Sequence, residues 1–567
     1  MYRSEHPKPQ FRRESWMNLN GEWDFSIDCG DSGEARGMHL TEAAYERTIQ
    51  VPFCPESKLS GVEYTDFMQA VWYRRTFTLT EEQRQGRILL HCGAIDYQAT
   101  VYVNGQNCGG HAGGYVSFSV DITEAVRTGD NLLVIRAQDD TRNRLIPSGK
   151  QCPTYHSCGC HYTRTTGIWQ TVWLECVPDT RIIQVKYTPD AENGNLHILA
   201  QVTGGGILTA EAFYEGRPMG RTQVQTTGNT ASLHLSLAET HLWEVGQGRL
   251  YDLVLTYGDD RVNSYFGLRS LQIDGYKFRI NGKSVFQRTV LDQGFYPDGI
   301  YTAPSDAELE QDILRSQAMG FNGARLHEKV FEERFLYHCD RLGYLVWGEY
   351  PNWGLDHTYE DSIYGMLPEW LEILDRDGNH PAIVGWCPFN ETWDIAGRKQ
   401  YDPLLELVYR TTKAVDPTRP CIDVSGAYHV VTDIFDVHDY TQDPVEFAPH
   451  FASLPVDGTF YDPHSARETY PKGQALFVSE YGGIAWNMDG TGWGYGNAPQ
   501  NEEEFLNRLR GLTDALLDNP CIMGLCYTQL TDVEQEQNGL YTYDRRPKFD
   551  PAVIREIFAR EAAIEKE

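Results

Sequence analysis

The chain has 567 residues, with 80 aspartates and glutamates against 49 lysines and arginines and a formal charge of −31. A surface that acidic repels phosphate backbones, which argues against a nucleic-acid partner. Without an apolar run near the roughly 18 residues of a membrane span, a membrane-embedded protein is set aside too, and a length several times the ~100–200 residues of one domain predicts about three hydrophobic cores.

The first residues, Met1-Tyr2-Arg3-Ser4-Glu5-His6, run into polar sequence with no apolar stretch of the secretory kind, so a cytoplasmic location is expected. The 13 cysteines are odd in number and fall largely in strand-like segments, which suits reduced thiols. Cys152, Cys158 and Cys160, beside His156 and His161, offer metal-binding ligand types but lack the paired C-x2-C spacing, so an ordinary reduced loop is the better reading.

Strand signals open the chain. Ile88 to Cys92 and Ala99 to Val103 alternate as strands do, the latter closed by the hairpin pair Asn104-Gly105, and short strands continue to about Leu174. A second β series from Pro178 to Phe266 includes Gln184 to Tyr187 and Leu196 to Val202 around Asn193-Gly194, and ends in Tyr251 to Tyr257; its length suits a small sandwich.

After Gly267 strands alternate with helices. Ser305 with Glu308 reads as a capping box ahead of the apolar face of Leu309, Ile313 and Leu314, which stops at Gly320; Phe331 to Leu342 is a second helix, stopped by Gly343. The apolar runs Val285–Leu291, Gly323–Leu326, Tyr344–Trp347, Ile383–Trp386, Cys421–Val424, Ile434–Val437, Ala475–Val478 and Ile522–Cys526 predict the strands of a (β/α)8 TIM barrel.

Barrel chemistry sits at the C-terminal strand ends. The fourth run ends in Asn390-Glu391 and the seventh in Glu480-Tyr481-Gly482-Gly483, on strands that face each other across a barrel. Two carboxyl groups so placed suit glycosidic cleavage, where one protonates the leaving oxygen and the other attacks the anomeric carbon, and where a retaining geometry holds the two groups about 5–5.5 Å apart. Strand-end glutamates are more often caps or ion-pair partners. The adjacent Asn390 amide and the glycines after Glu480, which let backbone approach a ligand, shift the balance toward carbohydrate chemistry. To carry a proton, Glu391 is expected to have its pKa raised by burial among Trp386, Phe389 and Trp393 and by the charge of Glu480.

The motifs Trp16-x-x-Leu19-Asn20-Gly21-x-Trp23, Val71-Trp72-Tyr73-Arg74-Arg75-Thr76-Phe77 and Tyr162-Thr163-Arg164-Thr165-Thr166-Gly167-Ile168-Trp169 stand in that order, ahead of Phe266-Gly267-Leu268-Arg269 and Asn281-Gly282-Lys283. In these the chain resembles glycoside hydrolase family 2 (β-galactosidases and β-glucuronidases) over nearly all its length. The resemblance implies a jelly-roll sugar-binding domain at 1–177, an immunoglobulin-like β-sandwich at 178–267 and a catalytic TIM barrel at 268–567. It implies that Glu391 is the acid/base, Glu480 the nucleophile and Asn390 a ligand of the sugar 2-hydroxyl. Tyr440 resembles the tyrosine that hydrogen-bonds the nucleophile, Arg325 the arginine near the carboxylates, and Asp292 a sugar-hydroxyl ligand. His327, His438, Trp353 and Trp486 are candidates for the pocket wall, and Tyr527 stands where a tryptophan is common.

Two departures bear on substrate. Glucuronidases of the family carry Asn-x-Lys to grip the sugar carboxylate, where this chain has Glu536-Gln537-Asn538 before Gly539-Leu540-Tyr541-Thr542; the missing lysine favours a neutral sugar, galactose first. After the third strand, Gly348-Glu349-Tyr350-Pro351-Asn352-Trp353 lacks the extra magnesium ligands of the β-galactosidases, so no metal or other cofactor is expected. The leading expectation is a retaining exo-β-glycosidase acting on a small glycoside or oligosaccharide. One alternative is a β-glucuronidase whose clamp is Arg325 or Arg545. The other is a carbohydrate-binding protein without turnover, against which both carboxylates speak. Loops near Asp139-Asp140, or a neighbouring subunit of a homo-oligomer, are candidates to complete the pocket.

Overall fold

The computed structural model describes residues 3–487 and 490–566. Met1 and Tyr2, at the head of the polar N-terminal stretch, and the last residue of the expected barrel lie outside the described residues.

Residues 3–177 form two facing antiparallel sheets, with the short antiparallel pair Ile95–Asp96 and Gly167–Ile168 beside them. One has six strands, in the order Arg47–Val51, Gly21–Asp28, Ala70–Leu79, Gly129–Gln138, Gln98–Val103, Gln106–Ala112; the other has four, in the order Trp16–Asn18, Val172–Val177, Arg87–Cys92, Phe118–Asp121. The expected hairpin is present: Asn104 (φ 52°) and Gly105 (φ 81°) both take the left-handed conformation that joins two strands tightly. Phe25, Val51, Tyr73, Ile88, Leu90, Val101 and Ile135 fill the space between the sheets.

A smaller sandwich follows. Three strands (Ile182–Asp190, Asn195–Val202, Thr230–Ser236) face four (Arg217–Thr226, Gly206–Tyr214, Tyr251–Tyr257, Asp260–Phe266). Strict in-out alternation along Asn195–Val202 sends Leu196, Ile198, Ala200 and Val202 into one shared core.

The barrel strands are Gln287–Asp292, Gly323–Leu326, Leu345–Glu349, Ile383–Cys387, Phe435–Asp439, Leu476–Gly482 and Ile522–Thr528, all parallel where they pair. The fifth run, expected as a strand at 421–424, touches the fourth only through the bridges Trp386↔Cys421 and Asn390↔Ser425. Asp423 is the reason: its carboxylate accepts from the backbone N–H groups of Val424, Val430 and Val431 at 2.7–2.9 Å, offering the chain a turn in place of a ladder. The capping box is half formed. Ser305 accepts from the Glu308 N–H of helix Asp306–Ala318, while the Glu308 carboxylate turns to Arg315. Among the described residues no helix is long and apolar enough to cross a membrane.

We propose the division 1–177, 178–267 and 268–567 as the domains, supported by a main apolar cluster centred in each part. The first part also docks on the barrel, where Tyr115, Tyr162 and Trp169 join the barrel's own core beside Phe295 and Tyr301.

Buried carboxyl groups lie at that junction. Burial lifts Glu56 and Glu369 to about 7, and lifts Asp96, which Glu369 and Glu56 push further, while Gln151 donates to the Asp96 carboxylate at 2.6 Å. Each folded-state value lies above the ordinary carboxylate range. The stability they contribute is therefore complete below the unfolded pKa of about 4 and is lost as pH rises through about 7. The thermal midpoint is expected to fall between about pH 4 and pH 8 and to level off above that, and Asp96→Asn, which keeps a neutral amide there, to flatten that fall; an unchanged slope in calorimetry would remove Asp96 from the account.

Candidate active site

The fourth barrel strand ends at Cys387, and the chain then bends so that Asn390 and Glu391 reach the barrel mouth. The Glu391 N–H donates to the Ser425 carbonyl at 2.9 Å, and the residue sits at φ 49°, a left-handed conformation that a glutamate rarely adopts unless its surroundings hold it. Glu480 lies within the seventh strand, 4% exposed. Glu391, at 17% side-chain exposure, is the more open of the two.

His438, at the end of the sixth strand, stands between them. Its Nδ1 is 2.8 Å from Glu391 Oε1, its Nε2 3.5 Å from Glu480 Oε1, and Ser425 Oγ lies 3.0 Å from Nε2. Glu391, His438 and Glu480 each present an atom within 4.8 Å of the others, so the two carboxylates share one small space. The same donor set is of a kind that can hold a metal ion, and it is the one such grouping among the described residues.

Arg325, from the second strand, organises this space while fully buried. Nε donates to Glu349 at 2.6 Å, Nη1 to Glu480 at 3.1 Å and to the Ser479 carbonyl at 2.7 Å, and Nη2 to Asn390 Oδ1 at 3.2 Å. One rigid fork thereby fixes the Glu480 carboxylate and turns the Asn390 amide so that its NH2 end is left for another acceptor. The Tyr440 hydroxyl donates a short hydrogen bond to the second Glu480 oxygen, is 3.0 Å from Thr528 Oγ1, and its ring stacks on Tyr495 at 3.5 Å.

The charges answer one another. Burial works against a charged His438, but Glu480 and the hydrogen bond to Glu391 outweigh it and raise its pKa. For Glu391 burial pushes upward, yet the His438 hydrogen bond and charge, helped by Lys150, bring its pKa below the ordinary value. That is opposite to the rise expected from the sequence, which had counted apolar walls and Glu480 but not an imidazolium 2.8 Å away.

Glu391, Glu480, Asn390, Arg325, His438 and Tyr440 thus come together. Trp353 joins them through Nε1, which donates to the Asn390 carbonyl at 3.2 Å, and His327 packs behind, 3.0 Å from Glu349. Three expected residues lie elsewhere. The Asp292 carboxylate accepts from the Gly294 N–H and faces Asp312, Arg545 and Lys329, away from the two glutamates. Trp486 packs on Phe505 and Phe549, and Tyr527 is fully buried against Tyr481 and Phe558. Successive strand residues turn to opposite sides, so where Tyr527 packs into the wall the following residue, Thr528, reaches the site, 3.0 Å from the Tyr440 hydroxyl.

A cavity of about 520 Å³ opens beside Glu391, walled by Asn352, Trp353, His357 and Trp393 of the barrel and by Ser148, Gln151 and His161 of the N-terminal part. The cysteine loop borders this side: the Cys152 and Cys158 sulfurs are 3.8 Å apart, and the Gly159 carbonyl accepts from Trp493 and Gln535. Lys150 and Thr528 were missed in the sequence because neither stands in a motif, and Glu349, in the stretch after the third strand, was weighed only for magnesium; Lys150 lies in an ordinary Gly-Lys-Gln turn.

Residues 35–169 match the family description "Glycosyl hydrolase 2 galactose-binding domain-like", and residues 271–506 match "Glycosyl hydrolases family 2, TIM barrel domain". A putative beta-glucuronidase of Formosa agariphila is 28% identical over 511 residues, covering 85% of this chain and 58% of that protein. A beta-galactosidase of Thermoanaerobacter pseudethanolicus is 26% identical over 451 residues, covering 75% of this chain and 58% of that protein. The chain thus spans 58% of the length of these two curated relatives. The solved b-glucuronidase from Ruminococcus gnavus in complex with D-glucuronic acid superposes with a TM-score of 0.78 at 20% identity, over 98% of this chain and 99% of that one, a likeness of fold.

Proposed function

The chain belongs to glycoside hydrolase family 2, and from that premise we propose that it is a retaining exo-β-glycosidase with Glu480 as nucleophile and Glu391 as acid/base. The observation that carries this reading is the meeting of Glu391, His438 and Glu480 within 4.8 Å. That separation suits direct attack by a carboxylate, because an inverting pair needs about 6.5–9.5 Å to admit a water between its members.

In the first step Glu480 attacks the anomeric carbon while the aglycone oxygen takes a proton from Glu391. Arg325 and Tyr440 hold the attacking carboxylate in one orientation, which removes the cost of positioning it during the reaction. The proton comes from the Glu391–His438 pair, joined by one hydrogen bond at 2.8 Å. Once Glu480 is esterified its charge is gone. Glu391, now a carboxylate, takes a proton from the water that attacks the glycosyl-enzyme, so two inversions leave the anomeric configuration unchanged.

For the glycone we place a β-linked uronic acid first, supported by the glucuronidase names of the Formosa and Ruminococcus proteins. A β-galactoside is the second reading, supported by Asn538 in place of the usual lysine and by the name of the Thermoanaerobacter relative. The arginines considered as substitute clamps are both engaged: Arg325 with Glu349 and Glu480, and Arg545 with Asp312 and the Phe295 carbonyl. The test is inactivation by 2-fluoro glycosyl fluorides of both sugars followed by peptide mapping. A stable adduct on Glu480 is expected, and an adduct on any other residue would overturn the assignment.

A further inference from the structure

The N-terminal part sends one turn, Ser148 to Gln151, into the mouth of the barrel. The Ser148 and Gly149 N–H groups donate to the Trp353 carbonyl at 2.8 and 3.0 Å, and Gly149 also reaches the Pro351 carbonyl at 3.2 Å. Gly149 sits at φ 54°, and a Cβ there would lie 2.4 Å from the Glu328 carbonyl oxygen, so only glycine permits so close an approach. The next side chain, Lys150, is carried inward with the turn.

Lys150 is 6% exposed, and its ammonium lies 3.8 Å from the centre of the Trp353 ring. The other edge of that ring donates to the Asn390 carbonyl, so the ammonium is one indole away from the Asn390-Glu391 corner. Ser148 and Gln151, on either side of Lys150 in the turn, line the cavity that Glu391 and Trp353 also line. Among the described residues no carboxylate comes within 4.0 Å of Lys150 Nζ, and Nζ makes no hydrogen bond. The other buried lysines differ: Lys329 spends its donors on the Gly294 and Tyr301 carbonyls, and Lys548 on Asp532 and the Trp486 carbonyl. A buried ammonium is costly unless something accepts its protons.

We propose that Lys150 binds the carboxylate of the glycone, so that the N-terminal domain supplies the group that makes this site selective for uronic acids. The proposal rests on the retaining-glycosidase reading above. Burial disfavours its charge, but the nearby carboxylates of Glu536, Glu391 and Glu480 act against that and favour the cationic lysine. Glu536, which stands where family glucuronidases begin their clamp, is not free to bind it closely: one oxygen takes the Tyr162 hydroxyl and the other the Asn538 amide at 3.2 Å. Lysine offers three rotatable donors around a compact charge and fixes no bidentate plane, so it selects for the carboxylate and leaves the configuration at the other ring carbons to Asn390 and its neighbours.

The test compares kcat/KM for aryl β-glucuronide, β-galacturonide and β-galactoside in the wild type, Lys150→Met and Lys150→Arg, with thermal midpoints measured alongside. The wild type should prefer a uronide. Lys150→Met should lower kcat/KM for that uronide on the order of a hundredfold, chiefly through KM, and for the galactoside by less than about tenfold, while Lys150→Arg restores part of the preference. A wild type that prefers the galactoside, or a Lys150→Met that lowers both substrates alike, would overturn the proposal. Labelling of Glu480 by the 2-fluoro reagents separates the two readings: a label elsewhere removes the mechanism, whereas a label on Glu480 with a preference indifferent to Lys150 removes the lysine's role alone.

Discussion

Replacing Glu480 with alanine is expected to lower kcat on any aryl glycoside substrate by about 10⁴-fold or more, the scale of losing a covalent nucleophile. The loss should be chemical and not a failure to fold. Arg325, which Glu480 neutralises in part, keeps its 2.6 Å contact with Glu349 and its hydrogen bond to the Ser479 carbonyl, so the buried guanidinium is not stranded. Tyr440 keeps Thr528 as a partner. The variant should therefore melt within a few degrees of the wild type. A small anion such as azide, admitted into the space left by the carboxylate, should attack in its place and give an α-glycosyl azide, the product of one inversion. A variant that keeps more than a hundredth of the wild-type kcat, or that yields the β-azide, would show that Glu480 is not the attacking group.

The parts of this architecture that could be read in the sequence are those written in local periodicity and turn chemistry. Asn104-Gly105 marks a hairpin because both residues tolerate positive φ, and strand alternation along Leu196–Val202 needs no distant partner to be seen. The fifth barrel strand was misread because an apolar run says nothing of Asp423, whose carboxylate captures three backbone donors and curls the chain. In the site, Glu391 and Glu480 stand out because a strand-end glutamate carries its own signal. Tyr440 and Arg325 followed by resemblance, and both donate to the Glu480 carboxylate. Asp292 and Tyr527 went astray because a strand-end position gives depth along the barrel but not the side to which a side chain turns, and Trp486 because it lies four residues beyond the seventh strand, in a loop that turns its ring onto Phe505 and Phe549. Lys150 was invisible for the opposite reason. It lies some 240 residues upstream of Glu391 in the numbering, and its place at the site comes from backbone hydrogen bonds between two domains. The pKa of Glu391 shows the same limit. Its apolar neighbours are close in sequence, whereas the imidazolium that reverses their effect comes from another strand.

The second large effect is expected at Glu391, and its signature differs in kind. An acid catalyst matters in proportion to how badly the departing oxygen needs a proton, so Glu391→Ala should hydrolyse a dinitrophenyl glycoside with its first step nearly intact, yet lose about 10²–10⁴-fold on a substrate with an alkyl or sugar aglycone. The second step should slow for both, because no base remains to take the proton from water, and the glycosyl-enzyme should accumulate as a burst of the activated aglycone. Azide should relieve that step, since an anion needs no base, and the product should be the β-azide, after two inversions. His438 complicates the substitution in a way that can be measured. With Glu391 gone it loses its partner at Nδ1 but keeps the charge of Glu480 3.5 Å from Nε2, and it is a candidate donor in its place. Glu391→Gln, which keeps a partner for Nδ1, should show the same dependence on the leaving group as the alanine variant. If both variants slow good and poor leaving groups equally, the proton does not pass through Glu391, and the short hydrogen bond at 2.8 Å would mark His438 as the acid and Glu391 as the residue that orients it.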